Sequence, residues 1–162
     1  MQSVAVSHTM LAGLALALVL AAYTDIRRRQ IDNALNAGVA LAAPLFWWAS
    51  QMGLAEIGGQ LALALGAFVV LAGLFALGAM GGGDVKLLAA LALWIKPAWF
   101  AQLVMVMAVA GGVLSVAMGA WHVARRHRER LVIPYGMAIA FGGLWVLGVN
   151  YFPSFTKGFG TG

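Results

Sequence analysis

The 162-residue chain contains no cysteine, which rules out disulfides, thiolate zinc sites and a thiol nucleophile. Charge is almost as scarce. Only 9% of residues are charged against 63% apolar, whereas soluble domains carry about 25% and about 45–50%. The acidic residues number five, Asp25, Asp32, Glu56, Asp84 and Glu129, so any carboxylate chemistry has few places to reside. Nor is there a polar stretch long enough for an extramembrane domain. The net charge of +5 does not point to nucleic acid, because no basic stripe interleaves with exposed aromatics. These absences leave one class, an integral membrane protein.

A membrane-crossing helix needs about 20 mainly apolar residues to traverse roughly 30 Å of hydrocarbon. Five runs meet that length: Val4 to Tyr23, Ala34 to Met52, Ile57 to Met80, Ala98 to Val123 and Leu131 to Phe152. A sixth, Val85 to Ile95, is short and bounded by glycines and Lys96-Pro97. Without it, the arginines after Val123 would fall on the wrong side. The expectation is therefore an all-α, polytopic membrane protein forming a single domain over 1–162, with six transmembrane helices and the fourth short. The first run carries its arginines after rather than before it, the reverse of a secretory signal, and reads as a retained anchor.

Alternation places Arg27, Arg28, Arg29, Lys86, Arg125, Arg126, Arg128 and Arg130 on one face and only Lys96 and Lys157 on the other. Short loops rich in Lys and Arg stay in the cytoplasm, so both termini are expected outside. Phe46, Trp47, Trp48, Trp94, Trp99, Tyr151 and Phe152 then fall at the outer interface, where aromatic anchors are enriched, and Trp121 and Tyr135 near the inner one. Gly66, Gly73, Gly111, Gly112, Gly142 and Gly143 read as helix-packing contacts.

Asp25, Asp32 and Asp84 remain on the cytoplasmic side; Glu56 lies on the far face, and Glu129 sits among arginines. Counting back from Lys96 at about 1.5 Å per residue puts Asp84 on the order of 10 Å below the inner surface. An ionisable group at such depth is a functional-site hypothesis. Gly81, Gly82 and Gly83 predict a non-helical entry to the fourth helix beside a wet pocket, since irregular backbone at membrane depth needs protein or water to cover it. Asp25 closes the first helix on the same side. Two adjacent carboxylates share a proton, the ionised one activating a water and the protonated one donating to the substrate, with no metal needed.

Rival chemistries fare worse. His8, His122 and His127 lack metal-ligand spacing, and Ser115 lacks a GxSxG elbow and a paired histidine. A small proton-coupled transporter with Asp84 as relay, or a non-catalytic membrane assembly subunit, are the alternatives to an enzyme; no internal repeat supports the first.

Gly81-Gly82-Gly83-Asp84-Val85-Lys86-Leu87 resembles the GxGD motif of the type IV prepilin leader peptidases. Asp25-Ile26-Arg27-Arg28-Arg29-Gln30-Ile31-Asp32-Asn33 resembles the family's first aspartate segment, and Ile133-Pro134-Tyr135-Gly136 its third signature. All three occur in order, so the resemblance spans essentially the whole chain. It implies a membrane aspartyl endopeptidase of the bacterial inner membrane, facing the cytoplasm, with Asp25 and Asp84 as the catalytic pair and no cofactor or metal. Gly81, Gly83, Lys86, Asn33, Pro134 and Gly136 are the implied site-shaping or substrate-contacting residues. The implied partner is a prepilin or pseudopilin, its leader in the cytoplasm and its apolar helix in the bilayer. Asp32 stands where the family has proline, with an N-cap role as its simplest reading, and Asn33 as a substitute cap. For Lys86 the choice lies between snorkelling to headgroups and attracting an acidic substrate position. Without cysteine or space for the cysteine-rich insert, the chain resembles the short Flp or Tad form, and N-methylation is not expected.

Overall fold

The computed structural model describes residues 2–124 and 135–152, and all regular structure within them is helical. The elements are α1 (Gln2–Arg28), α2 (Asn33–Ala49), α3 (Leu54–Ala76), α4 (Gly82–Ala92), α5 (Pro97–Ala124) and α6 (Tyr135–Val146), the last running into a π-helical turn, Leu147–Tyr151. Three of them, α1, α3 and α5, are long and apolar enough to cross a membrane. The expected first, third and fifth spans coincide with these. The second, fourth and sixth form shorter helices of 17, 11 and 12 residues.

The shortest helix is the hub. α4 packs against α2, α3 and α6, while α6 also packs on α1 and α5. Leu87, Leu88 and Leu91 of α4 are fully buried, together with Ile95 just beyond it. By contrast, Gln60 and Ala64 are the buried residues of α3, and large apolar side chains such as Leu65, Val69 and Val70 face outward. This inversion of a soluble protein's surface is what a hydrocarbon solvent allows.

An eleven-residue helix that ends within such surroundings leaves orphan carbonyls, and in an apolar medium each needs a donor. Here side chains from other elements supply them. The Gln60 amide, oriented to donate, lies 2.7 Å from the Ala92 oxygen and 3.1 Å from that of Ile95. The Trp47 indole N–H donates to the Leu93 oxygen at 2.8 Å, and the Tyr151 hydroxyl to the Trp94 oxygen at 3.1 Å. Trp94 returns a bond to the Val39 oxygen at 2.9 Å. Phe46, Trp47 and Trp94 are thus buried packing and capping groups, a correction to the interface-anchor expectation that Trp48, 80% exposed, still fits.

The glycine turn also differs from expectation. α3 stops at Ala76 because Gly78, at φ +72, closes it, with Ala79 N–H on the Leu74 oxygen and Gly78 N–H on that of Phe75, a Schellman arrangement. Gly81 is the N-cap of α4, with φ −74, and Gly82 and Gly83 are already helical. No unusual backbone angle is needed at 81–83; the irregular entry lies earlier, at 77–80.

Packing glycines divide likewise. A Cβ on Gly142 would lie 2.9 Å from the Leu103 oxygen, and one on Gly143 would lie 2.7 Å from Leu18. These two set how closely α6 approaches α5 and α1. Gly111 makes ordinary contacts, whereas Gly66, Gly73 and Gly112 face open space.

Candidate active site

Asp25 lies one turn from the end of α1, where Arg27 and Arg28 complement the helix dipole. Arg29 then adopts φ +55 while its N–H still reaches the Asp25 carbonyl at 2.8 Å. A left-handed non-glycine residue costs about 1 kcal/mol or more. It turns the chain sharply, so that residues 30–32 fold back beneath α4. Ile31 is buried there against Gly83.

Asp84 lies in the first turn of α4. Both carboxylates are largely buried, Asp25 at 7% and Asp84 at 9% exposure. They line the edge of one polar cavity of about 420 Å³, with Arg29, Gln30, Asp32, Asn33, Gly81, Gly83 and Lys86 among its other walls. The Asp25 charge acts on Asp84, and that of Arg29 acts on Asp25. A cavity of this size has room for several water molecules beside the polar groups that line it.

Glycine at two positions is a matter of space. A Cβ on Gly81 would lie 2.8 Å from Asp84 Oδ2, and one on Gly83 would lie 3.2–3.4 Å from Ile31 side-chain and main-chain atoms. Gly136, second residue of α6, donates its N–H to Asp25 Oδ2 at 2.8 Å. A Cβ there would meet that oxygen at 2.8 Å and two Asp25 carbons at 3.0 Å. The helix N-terminus thus fixes one carboxylate oxygen, a favourable arrangement of dipole and charge.

The remaining sequence-expected residues divide in three. Lys86 donates to Asn33 Oδ1 at 2.8 Å, which ties α4 to the start of α2. The bond also occupies the side chain expected as a substitute cap. Asp32 does occupy the α2 N-cap, but its side chain makes no capping bond; it stands in the cavity wall as a third carboxylate. Pro134, with the basic loop from Arg125 to Arg130 and Lys157, lies outside the described residues. No group of three or more His, Cys, Asp and Glu able to hold a metal exists among the described residues.

Two contributors were not singled out from the sequence. Buried Asn36 donates to the Gly83 oxygen at 3.2 Å, and Gln60 caps α4 as described. Their available signal was a lone amide inside an otherwise apolar run, which in a membrane segment marks a residue that needs a partner.

A family model, the type IV leader peptidase family, matches residues 12–116. The match includes Asp25 and Asp84 of the cavity and the glycines before Asp84. Neither a curated protein nor a solved structure gives a significant match.

Proposed function

This chain belongs to the type IV leader peptidase family, and we propose that it is an aspartyl endopeptidase that removes the cytoplasmic leader of a Flp- or Tad-type prepilin. The observation that carries the proposal is the convergence of Asp25 and Asp84 on one polar cavity, from elements widely separated in sequence. Two nearby carboxylates share one proton more readily than they both ionise. In the proposed cycle the ionised partner takes a proton from water, whose oxygen attacks the scissile carbonyl carbon. The protonated partner donates to the carbonyl oxygen, and collapse of the tetrahedral intermediate delivers a proton to the leaving amine. Gly136 holds Asp25 Oδ2, which fixes the orientation of that carboxylate.

The membrane placement follows the same reading: six spanning helices in the inner membrane, both termini outside and the cavity at the cytoplasmic face. Arg29 and Lys86 in the cavity wall, with Arg27 and Arg28 beside it, support that orientation. The shortest of the helices, α4, has its C-terminal end supported by side chains of neighbouring elements.

Co-expression with a small prepilin, followed by mass measurement of the prepilin N-terminus, tests the activity. Asp25→Asn and Asp84→Asn are each expected to abolish cleavage while the protein still accumulates in membranes. Substantial processing by either variant would sink the dyad.

A further inference from the structure

α2 and α3 both pack on α4 but hardly touch one another. Between them runs a cleft of about 440 Å³, floored by Ala89 and Ala90 of α4 and walled by Ala37 and Ala40 on one side and Ala64 and Phe68 on the other. Its polar end is formed by Asn33 and Lys86, the same two residues that belong to the aspartate cavity. The two spaces therefore adjoin at the Lys86–Asn33 hydrogen bond, which lines both.

We infer that this cleft receives the apolar helix of the prepilin substrate, entering from the bilayer between α2 and α3, and that the Lys86–Asn33 bond marks where the substrate chain passes toward the aspartates. The inference rests on the peptidase reading and adds the route to the site. Small side chains on both walls and the floor permit close approach of a helix backbone, which is what drives association where no hydrophobic force operates. A second observation points to a polar guest. Asn36, 4% exposed and in the cleft wall, spends its amide N–H on Gly83 while its Oδ1 has no partner. A helix that must open at its N-terminal end to be cut presents unpaired main-chain N–H groups. At membrane depth those need acceptors, and Asn36 Oδ1 is one.

A competing groove lies on the opposite side of α2, between α1 and α2, where Gly13 and Gly38 have open space. It shares no residue with the aspartate cavity. Adjacent positions of one helix therefore separate the two routes, Ala37 facing the α3 side and Gly38 the α1 side.

Because the chain has no cysteine, single thiols report without background. Ala40→Cys, Ala64→Cys, Gly38→Cys and the outward-facing Val113→Cys would each be co-expressed with a prepilin bearing single cysteines along its apolar helix, then oxidised. Disulfide-linked adducts are expected at 40 and 64 and not at 38 or 113. In parallel, Ala37→Leu is expected to raise KM for the prepilin roughly tenfold with kcat held, and Gly38→Ala to leave both unchanged. Processing by the wild type together with adducts at 38, or with none at 40 and 64, overturns the cleft assignment and leaves the peptidase reading standing. Absence of processing by the wild type would remove the peptidase reading, and the cleft assignment with it.

Discussion

The main-chain N–H of Gly136 donates a 2.8 Å hydrogen bond to Asp25 Oδ2 across 111 positions of sequence. A helix end thereby holds one oxygen of a buried carboxylate, and the absence of a side chain at Gly136 is what admits it. Gly136→Ala would place a methyl group 2.8 Å from that oxygen, forcing the carboxylate aside. A displacement on the order of 1 Å can cost about 100-fold in rate. We expect kcat for prepilin cleavage to fall by about that factor, with membrane accumulation retained. Gly112→Ala, where a Cβ meets nothing within 4 Å, should be near neutral in the same assay.

Gly81→Ala makes the corresponding intrusion on Asp84 Oδ2. Here the obstructed group is a side chain, which can rotate, so the expected outcome is loss of cleavage with little change in thermal stability in detergent. Gly83→Ala differs, because its close neighbours include the Ile31 main chain. It should lower both activity and melting temperature, and comparing the two variants by the same thermal scan separates the effects.

The Gln60 amide serves two carbonyls at the end of α4. Gln60→Leu keeps the volume but removes the donor, leaving buried acceptors unpaired at a cost of about 1–3 kcal/mol. Equilibrium unfolding in detergent should show a loss of that size. A cost near zero would mean that water replaces the amide.

Lys86 and Asn33 join α4 to α2 at an exposed position, so their bond is worth about 0.5–1.5 kcal/mol at most. Lys86→Met and Asn33→Leu should each weaken prepilin processing, and the double variant should do no worse than the more damaging single one. Fully additive effects on kcat/KM would show that the two act independently.

Composition and hydropathy by themselves determined an all-helical membrane class, and the placement of Asp25 and Asp84 on one side followed from counting spans and basic residues. That much is legible because helix length, apolar run and charge bias act through local sequence. The glycines were legible as a motif but not in their role. Backbone freedom was expected at 81–83, whereas it is required at Gly78; at 81 and 83 the requirement is space for Asp84 and Ile31. Such clearances depend on which segments meet, and no local pattern records that. The same holds for Trp47 and Trp94, whose place in the sequence reads as interface, and for Gln60, which the sequence did not single out. Tertiary structure makes them the donors that complete α4. It alone decided that a helix of 11 residues can end inside the bundle, because its carbonyls are satisfied by side chains from α2, α3 and the π-helical turn. It alone brought Gly136 to Asp25, since that contact exists only where α6 lies close against α1, an approach that Gly143 permits beside Leu18 while Gly142 permits the one to α5.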